Sequence, residues 1–225
     1  PEHVMGGLAG CFADTFGQHM EPPRHFFFMA FLTCLGSVLG PRVSLASEIN
    51  PQPRLYTVIL GQSADDRKST VIAKATDFFR EALEEFATCH GVGSEVGLQK
   101  KLLETPSLLL VFDEFKQFVS KAKIENSALL PCVNTLFESN RYENRTKRTA
   151  LSIEGAFLSL LAASTTQTYE NLWTAAFIDI GFNNRLFLVP GTGERRFSFP
   201  SKVPDSEKEA LKRDLGKILR YSKDT

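Results

Sequence analysis

The chain has 225 residues, of which 43% are hydrophobic and 23% are charged, and its formal net charge is zero. This balance is typical of a folded globular protein and excludes an intrinsically disordered chain. A neutral chain also lacks the uniformly basic surface of a general nucleic-acid coat. Any contact with DNA or RNA must therefore come from a local basic patch.

The spacing of the cysteines and the length of the apolar runs indicate the cellular compartment of the protein. The four cysteines are scattered without a Cys-x-x-Cys pair. This favours reduced thiols in a cytoplasmic protein over a disulfide framework or a zinc site. The most apolar stretch, residues 26–39, is shorter than the roughly 20 residues that a membrane span needs, so we expect a buried helix and no membrane partner. The chain begins with Pro1 and not with methionine, which suggests a piece of a longer protein.

In chain order, the sequence predicts a helical lead-in, an α/β core and a C-terminal helix. Residues 1–52 carry apolar side chains at helical spacing and end in an irregular connector. Residues 53–200 contain four short apolar runs typical of buried strands, with helical patterns between them. These runs are LYTVIL (55–60), SLLLVF (107–112), FLSLLAA (157–163) and RLFLV (185–189). An amphipathic helix starts near Asp205, within residues 201–225. The alternation predicts an α/β fold with a mostly parallel sheet covered on both faces.

The segment GQSADDRKST (61–70) follows the first predicted strand and is similar to a phosphate-binding loop. Lys68 would bind the outer phosphates and Ser69 would bind Mg²⁺. Arg67 stands where the second glycine of the motif belongs, and the loop is one residue too long. Two aspartates just before Arg67 would bring negative charge toward a phosphate. An ordinary strand–loop–helix in which these aspartates cap the helix is the alternative, and the motif alone leaves both open.

The run LLLVFDEF (108–115) ends a strand in two acids and has the shape of a Walker B element. Asp113 would hold Mg²⁺ through water, and Glu114 would polarise the attacking water. The alternative is that Asp113 caps the following helix. The position of these acids, one strand and one helix after the lysine loop, favours a nucleotide site.

Two further strand boundaries carry candidate residues. Ser164, Thr165 and Thr166 follow FLSLLAA, where a polar side chain can lie between the two motifs and contact the γ-phosphate or the water. A plain hydroxyl-rich strand exit is the alternative. Arg185 begins the last strand and could reach the nucleotide of a neighbouring subunit, or it could pair with a surface carboxylate. Local sequence does not decide between these interpretations.

In this order, LYTVILGQSADDRKST, SLLLVFDEF, LSLLAASTT and GFNNRLFLVPG resemble the helicase-type ATPase domain of primase–helicase proteins from phages, plasmids and integrated elements. That domain is similar to AAA+ helicases, including the minichromosome-maintenance group. Its members often carry Arg-Lys-Gly/Ser-Thr where other ATPases have Gly-Lys-Thr, so RKST fits the family. The resemblance implies a P-loop NTPase fold of the AAA+/RecA-like type, ATP and Mg²⁺ as cofactors, and ATP hydrolysis.

The resemblance also assigns roles by position. The implied catalytic residues are Lys68, Glu114 and Arg185, with Arg185 acting on the neighbouring subunit's nucleotide. The implied metal ligands are Ser69 and Asp113. The implied nucleotide-binding residues are Gly61, Ser63, Arg67, Lys68, Ser69, Thr70, Ser164 and Thr165.

A basic segment, NRYENRTKRT (140–149), lies between the strand with the two acids and the hydroxyl-rich strand. Its cations are Arg141, Arg145, Lys147 and Arg148. In related helicases an insertion at this point forms a hairpin that contacts the phosphate backbone in the central channel. The resemblance therefore implies binding of single-stranded or forked DNA, with Tyr142 able to stack on a base. The alternative is a solvated loop, or one that makes ion pairs between subunits.

The expected function is an ATP-dependent DNA helicase or translocase domain of a mobile-element replication protein. An arginine that acts on a neighbour requires a homo-oligomer, and we expect a ring, with six subunits as the expected number. The sequence does not show whether a primase domain lies upstream. Two alternative functions remain: a nucleic-acid-binding or assembly module with a degenerate nucleotide site, and a switch ATPase that remodels protein.

Overall fold

The computed structural model describes residues 2–49, 51–62, 66–145, 150–173, 181–193 and 199–223. The α-helices are α1 (Gly7–His19), α2 (Arg24–Leu39), α3 (Lys68–Ala82), α4 (Glu95–Glu104), α5 (Phe115–Ala122), α6 (Leu129–Glu138), α7 (Thr166–Asn171) and α8 (Asp205–Tyr221). The strands are β1 (Tyr56–Gly61), β2 (Thr88–His90), β3 (Ser107–Phe112), β4 (Tyr142–Arg145), β5 (Ala150–Ile153), β6 (Phe157–Thr165) and β7 (Leu186–Pro190). Short 3₁₀ turns cover Glu2–Val4 and Asn183–Arg185.

A five-stranded sheet with the strand order β2-β3-β6-β1-β7 forms the centre of the protein. All of its neighbouring strands are parallel. The predicted α/β class and the mostly parallel sheet are therefore confirmed. β6, the hydroxyl-rich strand, lies between β1 and β3, so it separates the strand that leads into the lysine loop from the strand that ends in two acids.

Helices cover both faces of the sheet, which explains why the strand sequences are apolar without alternation. One face packs against α1, α2, α3 and α8 through residues such as Ile59, Val111 and Leu161. The other face packs against α4 to α7 through residues such as Val58 and Leu160. The helical lead-in and the C-terminal helix thus share one apolar core with α3. The proposed segment boundaries at residues 52 and 200 stay a prediction.

Two strand boundaries differ from the predicted ones. β6 continues through Ser164 and Thr165 because these residues still pair with β1, opposite Leu60 and Gly61. Arg185 does not begin β7; it ends the 3₁₀ turn before it, and pairing with β1 starts at Leu186. Among the described residues, no helix combines the length and the apolar character that crossing a membrane requires.

Candidate functional site

The loop after β1 enters α3 through a residue with left-handed backbone geometry. Arg67 has φ 43° and ψ 41°, the region that favours glycine and costs other residues about 1–2 kcal/mol. Its Nε lies 2.6 Å from Oε2 of Glu21, whose side chain is almost completely buried against the lead-in. Arg67 therefore keeps a glycine-type backbone conformation at the position where the motif has glycine, and an ion pair anchors its side chain.

Asp66, which the sequence left unexplained, holds the loop together. It is 1% exposed, and its two carboxylate oxygens accept the backbone N–H groups of Gln62 and Gly193. Gly61 is required here because an added Cβ would collide with this carboxylate. The N-cap residue Arg67 makes no capping hydrogen bond, and Asp66 accepts from Gln62 and Gly193 instead, so capping of α3 by Asp66 is not observed. Ser63 and Asp65 lie outside the described residues.

Lys68 is the first residue of α3 and is 9% exposed. Its ammonium donates a hydrogen bond to the carbonyl oxygen of Gln62. Burial lowers the pKa of Lys68, and the nearby carboxylates of Asp66 and Glu114 offset part of that lowering. The lysine is therefore largely desolvated and close to both acids. Ser69 is exposed and Thr70 is half-buried in the same first turn.

The two acids after β3 are not used to cap α5. Asp113 is exposed and lies one residue before the N-cap position, which Glu114 occupies without making a capping hydrogen bond. The Oε1 atom of Glu114 is buried and has no hydrogen-bond partner among the described residues. Buried polar atoms normally have partners, so this unpartnered carboxylate oxygen makes Glu114 a candidate site residue.

Ser164 lies at the carboxyl end of β6, between the loop strand and the strand with the acids. It is 1% exposed, and its Oγ is buried without a hydrogen-bond partner in the described part of the chain. Thr165 differs, because its Oγ1 accepts the N–H of Thr168 at 3.0 Å and so caps α7. Of the two hydroxyls at the end of β6 that the resemblance assigns to nucleotide, Ser164 is the one without a hydrogen-bond partner in the described residues.

Arg185 lies near the amino ends of the strands, whereas Lys68 lies beyond the carboxyl end of β1. β7 runs parallel to β1 with Leu186 beside Tyr56, so the length of β1, roughly 16 Å at about 3.3 Å per residue, separates Arg185 from the loop. Its Nη1 donates to the carbonyl oxygen of Gly181 at 2.7 Å, and its Nη2 pairs with Glu138. The structure thus brings Lys68, Glu114 and Ser164 to one edge and leaves Arg185 on the other, paired with an exposed carboxylate.

β4, within the basic segment, and β5, directly after it, pair as an antiparallel hairpin. Arg141 is exposed just before β4. Lys147 and Arg148 lie outside the described residues, as does the side chain of Arg145.

A buried glutamate that the sequence did not single out anchors this hairpin. The Oε1 atom of Glu95 accepts hydrogen bonds from Tyr142 (2.7 Å), Asn144 (2.8 Å) and Gln99 (2.8 Å). Burial and this hydrogen bond raise the pKa of the Tyr142 hydroxyl. The Tyr142 ring packs against the apolar core, so the predicted stacking on a base is not supported. In the sequence, Glu95 directly follows the N-cap Ser94 and looks like an ordinary first-turn acid.

A cavity of about 430 Å³ lies along α3, from Arg67 before its first turn to Glu81 in its last turn. Arg67, Thr70, Lys74 and Phe78 of this region form one wall, and Met20 and Val203 contribute apolar surface from the lead-in and the C-terminal segment. Small-molecule sites commonly have volumes of about 300–1,000 Å³ and mix apolar walls with a few polar groups. The cavity is large enough for a small molecule, but Lys68, Glu114 and Ser164 do not line it.

The residues fit a magnesium–nucleotide site by their chemistry. The described residues contain no group of three or more His, Cys, Asp or Glu side chains that could hold a metal ion alone. Mg²⁺ at nucleotide sites takes only one or two protein ligands, and phosphate oxygens and water supply the rest. Ser69 and Asp113, both exposed at the carboxyl edge, are suitable ligands of this kind.

A comparison of the chain with protein-family models gave no match, and a search of curated proteins found no similar sequence. The interpretation of the site therefore depends on the fold and on the geometry described above.

Proposed function

We propose that the chain is a helicase- or translocase-type ATPase domain that hydrolyses ATP with Mg²⁺ and acts on single-stranded or forked DNA. The observation that carries this proposal is the edge formed by β1, β6 and β3. There a desolvated lysine at a helix N-terminus lies near Glu114, whose Oε1 is unpartnered, and Ser164 is a buried hydroxyl without a partner. Ligands of parallel sheets bind beyond the carboxyl ends of the strands.

Each side chain has a distinct part in the proposed reaction. The Lys68 ammonium binds the outer phosphates, and Ser69 with Asp113 holds Mg²⁺, which neutralises the charge on the phosphates. Glu114 accepts a hydrogen bond from the attacking water and orients it toward the γ-phosphate. The Ser164 hydroxyl donates to that water or to a phosphate oxygen.

Replacing Lys68 with alanine tests the nucleotide site directly. We expect ATP to bind about 10- to 100-fold more weakly, because hydrogen bonds to charged groups contribute about 1.5–3 kcal/mol. Isothermal titration calorimetry measures the change. The control is Lys100→Ala, which removes an exposed lysine of α4 outside the proposed site and should change affinity far less. Equal ATP affinity for the parent and Lys68→Ala would place the nucleotide elsewhere or nowhere.

The proposed DNA contact rests on the four cations of the β4–β5 region and on the Glu95 anchor that fixes the hairpin to α4. Replacing Arg141, Arg145, Lys147 and Arg148 together with glutamine should weaken single-stranded DNA binding. The slope of log K against log salt should also decrease, by about 0.7 for each lost phosphate contact. Fluorescence anisotropy at several salt concentrations measures both quantities.

A charge-matched control separates local contact from net charge. Replacing Arg213, Lys217, Arg220 and Lys223, four exposed cations near the C-terminal end of α8, with glutamine removes the same charge elsewhere. We expect this control to keep most of the salt slope of the parent. If the two quadruple variants lose affinity equally, the hairpin makes no specific contact.

One observation favours the first alternative function, a binding or assembly module with a degenerate nucleotide site. The Asp66 carboxylate already takes backbone N–H groups in the loop after β1. DNA binding by the parent without measurable binding of ATP would support that alternative.

A further inference from the structure

We propose that the Asp66 carboxylate is an internal competitor of the nucleotide's phosphates, so that a bound nucleotide must displace it from the loop after β1. This inference rests on the proposed nucleotide site and concerns the regulation of that site. It gives a physical reason for an acid in a loop that otherwise favours anions.

The groups around Asp66 are two backbone N–H groups and one lysine, which are donors of the kind that bind phosphate. Its oxygens accept the backbone N–H groups of Gln62, in the loop, and of Gly193, beyond β7. The Lys68 ammonium lies close enough to the same carboxylate for Asp66 to favour its charged form. Backbone N–H groups together with one lysine are the donor set that a phosphate loop presents to an anion.

Asp66 and a phosphate cannot use this donor set together. The carboxylate is almost completely buried, and the space beside Gly61 is too small even for an added Cβ. A backbone N–H has one hydrogen to donate, and two anions at this distance repel each other. A phosphate that takes the N–H of Gln62 and the ammonium of Lys68 must therefore drive the carboxylate outward.

Displacement of the Asp66 carboxylate also affects the segment after β7. Asp66 is the link between the loop after β1 and Gly193, three residues beyond the end of β7. When the carboxylate leaves, the N–H of Gly193 loses its acceptor. The last residue of β7 contacts the lead-in, because the carbonyl oxygen of Pro190 lies 2.9 Å from Nε2 of His25 in α2. Nucleotide binding thereby changes contacts that join β7 to the loop.

Asp66→Asn provides the test because it removes the charge and keeps the size of the side chain. The probes are ATP and inorganic triphosphate, measured by calorimetry. We expect both to bind at least about tenfold more tightly to Asp66→Asn than to the parent, equivalent to about 1.4 kcal/mol. The control Asp214→Asn removes one exposed charge of α8, which pairs with Lys217, and should leave both affinities unchanged.

If Asp66 has only a structural role, the affinities for both probes should change in the opposite direction. Loss of the carboxylate would then loosen the loop and weaken the binding of both probes. Equal or weaker binding by a folded Asp66→Asn protein, with clear binding by the parent, overturns this inference and leaves the proposed function standing. If neither protein binds ATP or triphosphate, the proposed function fails and this inference fails with it.

Hydrogen exchange at Gly193 keeps the inference testable even if Asp66→Asn does not fold. In the parent, saturating ATP should speed exchange of the Gly193 amide, because its acceptor is displaced. Unchanged Gly193 exchange in the ATP-saturated parent overturns the proposed displacement.

Discussion

Glu114→Gln should slow ATP hydrolysis by about 100- to 10,000-fold, the usual contribution of a positioned general base. ATP affinity should stay close to that of the parent. The amide matches the carboxylate in size but cannot accept a proton, so binding is kept and activation of water is lost. The buried, unpartnered Oε1 of Glu114 is the atom whose basicity the substitution removes. Steady-state phosphate release gives the rate, and calorimetry gives the affinity.

The control for this prediction is Glu125→Gln, which changes an exposed glutamate in the turn after α5. It removes the same charge without altering the edge of the sheet, so the rate of hydrolysis should be unchanged. Hydrolysis by Glu114→Gln at the rate of the parent would mean that another group activates the water. Asp113, the neighbouring acid, would then be the first residue to replace.

Arg185→Ala should abolish turnover, by about 1,000- to 100,000-fold, and leave ATP binding by each subunit nearly intact. Within one subunit Arg185 lies on the opposite edge of the sheet from Lys68, so it cannot serve its own nucleotide in this arrangement. We therefore expect it to act on the neighbour's nucleotide in a homo-oligomeric ring. Hydrolysis rates and sedimentation of the same samples measure activity and assembly together.

Mixing Arg185→Ala with Glu114→Gln protein separates action in trans from action within a subunit. Some interfaces then join an intact Arg185 to a site with an intact Glu114, so partial activity should return. A chain with both substitutions should rescue neither single variant, because every interface in such a mixture lacks Arg185 or Glu114. No rescue in mixtures that have demonstrably assembled counts against a trans-acting arginine.

The ion pair seen in the structure supplies a second control. Glu138 pairs with Nη2 of Arg185 and is itself exposed. Glu138→Ala removes this pairing and keeps the guanidinium. If Arg185 only stabilises its own subunit through that pair, Glu138→Ala should have the same effect as Arg185→Ala. If Arg185 serves a neighbouring nucleotide, Glu138→Ala should keep most of the turnover.

The principal elements of the sheet could be predicted because their signals are local. β1, β3, β6 and β7 are short apolar runs, and each of these strands lies within a residue or two of its predicted limits. The helix after the lysine loop and the C-terminal helix begin within one residue of the predicted starts. In a parallel sheet the carboxyl ends of the strands share one edge, so the closeness of Lys68 and Glu114 also followed from the pattern.

The roles of Asp66 and Glu95 could not be predicted because their partners are distant in the chain. Asp66 accepts a hydrogen bond from Gly193, and Glu95 accepts hydrogen bonds from Tyr142 and Asn144 in the hairpin. Both acids have local sequence contexts typical of helix starts, where short-range capping is the usual expectation. Thr165 shows the reverse: it was assigned to nucleotide, and its hydroxyl caps α7.

The sequence by itself determined the fold class, the principal strands and the chemistry available at their ends, because apolar periodicity and residue type act over short distances along the chain. Only the tertiary structure decided which of those residues meet. The order of the strands places β6 between β1 and β3 and Arg185 on the opposite edge from Lys68. Strand order arises from packing helices on two faces of one sheet, and no single segment carries that information.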